Sequence, residues 1–487
     1  MNVVGIDLGT TCCSVSYLDR FGRLVSVPNS SGQFLTPSRV AFQQGDVEVG
    51  GTDGAECEGA YFKRELGKDE LYFINGVSIR PVVLSAILLR ALKEDIQSHL
   101  GYLPESVITV PAFFDEKKRL LTKQAAEMAG LKVRAIVNEP TAAAIGILSE
   151  LLNQTANKKM NVLVYDLGGG TFDVSIIQCS EFGARVLATD GDLNLGGKDF
   201  DECLKHLIET KFKQAGLTKP ILTSAQLENW KIQLTSVERI EICGISSASA
   251  SIYITREEFE AAASSLIGQT RILVALVMSQ GNLSWSDIDG VLMVGGASKM
   301  PMVSRMISKV SNGTQLLYPR SAQHAVSHGA AKYGEIISSP RNSFKVIDVT
   351  AHSLGIIATD RKNKRAYVRK LIPKNTPLPT VVKQRCVTAY PDQSNVILQL
   401  VEGESEDPAE CITLGKCKIL LPPSVPANTG IDTIIAYNKN GVLDFKASIP
   451  MFDKETKLSL SRVSSYQSTD NLDELVAKYL QTFNLRQ

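Results

Sequence analysis

The chain has 487 residues, 44% of them hydrophobic and 21% charged, which excludes a disordered or fibrous protein and exceeds one ordinary core. Its net charge of +1 gives no electrostatic reason for binding nucleic acid or an anionic membrane. No apolar run approaches the ~18 residues of a membrane span, and the opening MNVVGID lacks the basic region of a secretory signal, so a soluble cytoplasmic chain is expected.

In chain order, residues 3–6 alternate as a strand, enter the turn Asp7-Leu8-Gly9-Thr10-Thr11 and return over 15–18, a hairpin pattern. Val83, Leu84, Ile87, Leu88 and Ala91 share one face of a predicted helix over 81–99, with Gly101 just past its end. A strand over 106–110 stops at Pro111, and a helix over 122–129 ends at Gly130. A buried strand over 161–165 enters Asp166-Leu167-Gly168-Gly169-Gly170-Thr171 and returns over 174–177. Another, 290–294, enters Gly295-Gly296-Ala297-Ser298. GIDLGTT at 5–11 and VYDLGGGT at 164–171 form a weak internal repeat, which predicts two related lobes whose turns face one cleft.

The composition then changes. Residues 338–343 are a polar, turn-forming run that reads as a linker. Beyond it, short strands are predicted over 368–372, 381–389, 396–402, 412–421, 431–437, 442–449 and 457–460, spaced as in a β-sandwich, and one short helix over 472–483. The nine cysteines include no C-x-x-C pair and read as free, mostly buried thiols, although Cys411 and Cys417 could meet across a hairpin.

Two matched Asp-Leu-Gly turns suit a nucleoside triphosphate, which is polyanionic and carries magnesium. Gly9, Gly168, Gly169 and Gly170 allow backbone N–H groups to approach phosphate oxygens, and Thr10, Thr11 and Thr171 add hydroxyl donors. Asp7 and Asp166 would repel phosphate alone but suit magnesium held through its own waters. Either turn by itself reads as an ordinary hairpin; the pair, with VGGAS after a third strand, points to one nucleotide cleft.

With GIDLGTT and YDLGGGTFDVS (165–175) stand TVPAFF (109–114), NEPTAAA (138–144), VGGASKMP (294–301) and LIPKNTPLPT (371–380). Through these the chain resembles the actin-like ATPase superfamily and, within it, the DnaK-type heat-shock chaperones. FKRELG (62–67) and LLRALKED (88–95) are most similar to the short HscC-like branch. The resemblance implies an α/β two-lobed ATPase domain at 1–338, a linker at 339–348, an all-β sandwich for peptide binding at 349–465 and a short helical remnant at 466–487, the helical lid being nearly absent. It implies that Asp7 and Asp166 organise magnesium, that Lys63 sits near the γ-phosphate, and that Glu139 and Thr171 complete the catalytic centre. Gly196 and Gly197 would pass close to the phosphates; Glu228, Lys231 and Thr235 would meet ribose and adenine from one helix face; Gly295, Gly296 and Lys299 would close the adenosine side. Pro111 and Arg119 match the family's switch pair, and Asp348 ends the linker motif.

Several positions depart from the family's pattern. Cys12 stands where Asn or Tyr is usual beside the phosphates, Lys198 replaces a Glu in GGKDFD, Ala297 and Lys299 replace the usual residues near adenine, and Gln323 falls where an Asp often sits. The segment from Gly50 to Lys63 is short, and Lys345 interrupts the apolar linker run Phe344-Lys345-Val346-Ile347-Asp348. In the sandwich, the resemblance places a peptide groove around Ile356, Cys386, Val396 and Leu398, with Ala358, Thr359 and Ala389 near an arch over it. Each of these residues also reads as ordinary sandwich core.

The function implied is a chaperone that uses ATP and Mg2+ to control binding of extended apolar client peptides, assisted by a J-domain co-chaperone and an exchange factor. A nucleotide-binding regulator with little turnover is favoured by Lys198, Lys299 and Gln323. A small-molecule kinase of the same superfamily has no use for a sandwich behind a linker.

Overall fold

The computed structural model describes residues 3–43, 46–51, 58–68, 71–74, 77–153, 159–244, 251–339, 343–360, 365–438, 443–459, 474 and 476. Residues 340–342 of the predicted linker and nearly all of the predicted helix over 472–483 lie outside them; Glu474 and Val476 are helical.

The repeat seen in the sequence becomes a repeat of topology. In the first sheet, Val3–Asp7 pairs antiparallel with Cys12–Leu18 and parallel with Glu105–Val110. In the second, Lys159–Leu167 pairs antiparallel with Phe172–Ser180 and parallel with Gly290–Val294. Strands buried on both faces need near-continuous apolar runs, and GVLMV at Gly290–Val294 supplies one, buried at every position. Helices Glu139–Asn153 and Ala325–Ser338 pack together between the sheets, so the two Asp-bearing strand ends open toward a common side.

Local chemistry sets the element ends. Helix Pro81–Leu100 starts on a proline, whose missing N–H costs nothing there, and stops at Gly101 with φ 77°. The helix predicted over 122–129 starts earlier: it spans Glu116–Met128, because the Asp115 side chain accepts from the Lys118 N–H and caps it. Residues 116–119 lack apolar periodicity, yet Glu116 and Lys118 are buried.

The C-terminal strands form two four-stranded antiparallel sheets. One orders Ala366–Ile372, Leu354–Thr359, Asn395–Glu402 and Ile412–Leu420; the other orders Thr380–Val387, Gly430–Tyr437, Leu443–Ile449 and Lys454–Ser459. Leu354–Thr359 was not legible as a strand in the sequence. Leu354, Ile356, Leu398, Leu400, Ile435 and Phe445 are buried in the shared core. The linker is not wholly irregular: Lys345–Ile347 adds to the edge of the second sheet, parallel to Gly183–Asp192. Eight cysteines are free, of which Cys243 is exposed, and Cys411 and Cys417 are not bonded to each other; Cys57 lies outside the described residues.

Candidate functional site

The two Gly-rich turns meet across the cleft. A Cβ on Gly169 would stand 2.2 Å from Thr11 Cγ2, and one on Gly170 would stand 2.2 Å from Thr10 Cγ2. Only glycine permits this approach, which leaves backbone rather than side chain facing the cleft. The Gly197 N–H donates to Gly168 O at 2.9 Å and the Lys198 N–H to Gly169 O at 2.9 Å, so the 196–198 turn is fastened beneath the second Gly-rich turn. Beside this junction lies a cavity of about 440 Å3, lined by Thr10, Thr11, Cys12, Arg39, Tyr61 and Glu228 among others.

Carboxylates gather at the inner end. Asp7 accepts from the Thr109 hydroxyl at 2.8 Å, and Lys63, 3% exposed, donates to Glu139 Oε1 at 2.5 Å. Burial, then the nearby Glu139 charge, pushes the Asp7 carboxyl up to about 7, against the pull of Lys63 and the Thr109 hydrogen bond. Burial and Glu139 also hold Asp166 well above the usual carboxylate range. Asp173, two residues past Thr171, is pushed up to about 7 by burial and Glu139, although the Phe113 N–H donates to it at 3.0 Å. Burial alone would lower the Lys63 pKa, but Glu139 and Asp7 outweigh it and the ammonium is retained.

One lysine therefore faces Asp7, Glu139 and Asp166, a surplus of buried negative charge that fits a divalent cation. Among the described residues no three His, Cys, Asp or Glu side chains converge to ligate a metal directly. The buried acidic surplus at Asp7 and Asp166 fits magnesium held through its water shell, an arrangement common for this strongly hydrated ion.

Two residues that sequence reasoning passed over complete the site. Arg64, beside Lys63 in FKRELG, is buried; its Nε donates to Gly170 O at 2.5 Å and its guanidinium grips Asp199, so it bridges the two lobes. Asn138, which opens NEPTAAA, accepts from Arg119 and donates to Asp348 Oδ2 at 2.7 Å. Arg119 also donates to Ala112 O and Phe114 O beside Pro111. A continuous hydrogen-bonded chain thus runs from the Pro111–Arg119 pair to the end of the linker. Both residues stood inside quoted motifs, but a motif does not say which side chain crosses a cleft.

The remaining predicted residues are placed as follows. Lys231 is buried and paired with Asp201 at 2.8 Å while donating to Gly197 O at 3.0 Å, so it braces the 196–198 turn. Thr235, on the same helix, donates back to Ile232 O. Glu228 lines the cavity opposite Cys12, whose thiol burial and Glu228 push up to about 11. Gly295 has φ 81° and lies against the backbone of Leu167, followed by Gly296, whereas Lys299 is exposed. Thr171 is buried, and its carbonyl accepts from the Gly168 N–H. Ile356, Val396 and Leu398 are buried in the sandwich core, with Cys386 packed against it. Ala358 is half-buried, and Thr359 and Ala389 are exposed.

A family model described as Hsp70 protein matches residues 3–56 and 67–484. The chain belongs to the Hsp70 family. Members are chaperones of the Hsp70 type, with ATPase activity and ATP or ADP bound with Mg2+, and they engage client peptides and co-chaperones. The matched stretches leave out residues 57–66, which carry Tyr61, Lys63 and Arg64.

Proposed function

We propose that this chain is an ATP-driven chaperone in which slow hydrolysis between the lobes at 1–338 controls the grip of the sandwich at 349–465 on extended apolar peptides. The observation that carries this reading is the buried Lys63, held by Glu139 beside Asp7 where the two Gly-rich turns meet. Magnesium supplies charge neutralisation at the transferred phosphoryl group when it is bound. Gly168–Gly170 and Thr10–Thr11 present N–H and hydroxyl donors to phosphate oxygens, Thr171 contacts the phosphate region, Lys63 neutralises negative charge and positions the attacking water, and Glu139 helps hold that water. Such chemistry is positioning and electrostatics, so few groups suffice.

Signalling to the sandwich follows the Arg119–Asn138–Asp348 chain through the linker at 339–348. A switch of this kind works by making docked and undocked arrangements differ in nucleotide affinity. Clients are extended peptides, which suit main-chain hydrogen bonding at strand edges with one apolar side chain in a pocket around Val396, Leu398, Ile356 and Cys386. We infer a cytoplasmic chain of the short HscC-like branch, with a J-domain partner and an optional exchange factor.

Single-turnover ATP hydrolysis by the purified chain, with and without an unfolded apolar peptide, tests this. Slow phosphate release accelerated by peptide is expected. Tight ATP binding without release would favour the nucleotide-sensing regulator instead.

A further inference from the structure

The sandwich meets the first lobe through acidic groups. The Glu116 N–H donates to Glu402 Oε2 at 3.0 Å, and the Tyr437 hydroxyl donates to Glu116 Oε2 at 2.8 Å. Glu116 belongs to the helix after Pro111, whereas Glu402 and Tyr437 belong to the two sheets of the sandwich. Glu116 is 2% exposed, Glu402 5%, Tyr437 7% and the neighbouring Asp115 5%.

Cations compensate this burial only in part: the Arg119 charge acts on both Glu116 and Glu402 and Lys118 lies near Asp115, yet burial outweighs Arg119 at both glutamates. Among the described residues, Asp115, Glu116 and Glu402 have no ion-pair partner. Arg119, one turn along the helix, directs its donors to Phe114 O, Ala112 O and Asn138 Oδ1. His352, on the sandwich side, donates from Nε2 to Phe113 O at 3.0 Å, and burial favours its neutral form. Lys374 pairs with Asp190 at 2.8 Å, Glu404 accepts from Ser353, and Asp348 accepts from Asn138. Ionised carboxylates cannot be buried this way without several kcal/mol of penalty per ion, and the cheaper outcome is to neutralise them.

We propose that docking of the sandwich onto the first lobe is proton-linked: the Glu116–Glu402 pair takes up a proton from solvent when the two surfaces meet and returns it when they part. Burial, the largest effect, pushes the Glu116 carboxyl up to about 7 against the Tyr437 hydrogen bond and the Arg119 charge, and with Asp115 it holds Glu402 well above the usual range against the Glu116 N–H and Arg119. The sign follows from linkage. A carboxyl whose pKa is raised in the docked form binds more protons there. Docking is therefore strongest at low pH and is lost as pH rises from the ordinary carboxylate range through the docked value. The device requires no nucleotide chemistry and stands apart from the hydrolysis reading.

The test is small-angle X-ray scattering of the full chain from pH 5.5 to 8.5, without nucleotide and with a non-hydrolysable ATP analogue. Wild type should lose its compact form as pH rises, the docking constant falling ~10-fold per pH unit while one proton is released. Glu402→Gln keeps an acceptor for the Glu116 N–H but cannot titrate, and should flatten the dependence. Glu116→Gln serves as a second variant, with circular dichroism confirming that each is folded. Wild-type compactness that ignores pH, or an extended chain at every pH in both conditions, would overturn the proposal. So would an unchanged pH slope in both variants. A chain that docks in this manner yet never hydrolyses ATP leaves the inference standing and removes only the ATPase reading.

Discussion

The cleft and the domain contact both bury several carboxylates, yet they handle the charge differently. In the cleft, Lys63 sits among Asp7, Glu139 and Asp166, and the surplus suits a hydrated divalent cation. At the contact, Glu116 and Glu402 have Tyr437 and a backbone N–H for company, and the Arg119 charge offsets their burial only in part. Burial by itself does not define what an acidic group does; the compensating charge does. A fixed lysine and a metal make a site for chemistry, whereas protons make a contact that responds to its surroundings.

The strongest test of this contrast removes the cleft's own cation. Lys63→Ala should lower the single-turnover hydrolysis rate by ~10²- to 10³-fold while fluorescent-nucleotide binding stays nearly intact. Undiminished turnover would break the assignment of Lys63. Next comes the junction of the two turns. A Cβ on Gly196 would lie 2.5 Å from the Gly170 backbone, which cannot yield as a side chain would. Gly196→Ala is expected to weaken ATP binding by more than ~10-fold, the equivalent of ~1.4 kcal/mol or more, read by calorimetric titration.

On the contact side, Lys374 of the sandwich pairs with Asp190 in the second lobe at 2.8 Å. Lys374→Ala leaves Asp190 largely buried without its ion pair, and docking should weaken by ~1–3 kcal/mol, seen as a smaller compact fraction in scattering at fixed pH. The smallest effect is expected at Lys198, whose ammonium lies 4.6 Å from the Tyr61 ring centroid across the cleft mouth. Lys198→Glu forfeits a cation–π contact of ~0.5–1 kcal/mol at a part-exposed site. Nucleotide release in stopped-flow should quicken only a few-fold; an unchanged rate would show that Arg64 and Asp199 alone hold the mouth shut.

Much of the scaffold was legible because its signals are local. GIDLGTT and VYDLGGGT each announce a strand, a turn and a returning strand, and the structure builds both, with Asp7 and Asp166 at matching places. The sandwich strands were legible from period-two alternation, as Gly430–Tyr437 shows with every second residue buried. Leu354–Thr359 escaped because it holds several apolar residues in succession and no alternation. The first turn of helix Glu116–Met128 escaped for a related reason: Asp115-Glu116-Lys117-Lys118-Arg119 reads as a solvated charged run, and nothing nearby in sequence says that the sandwich covers it.

What the sequence determined by itself is the set of local necessities. Glycines stand where two backbones approach, a proline opens a helix, and apolar runs fill strands buried on both faces. These depend on φ, ψ, hydrogen-bond geometry and side-chain period over a few residues. The tertiary structure alone decided the partners of charge. Arg64 reaching Gly170 and Asp199, Asn138 joining Arg119 to Asp348, and Glu402 meeting Glu116 all join residues far apart in the chain. Coulombic and desolvation energies depend on distance and burial in space, which spacing along the chain does not encode.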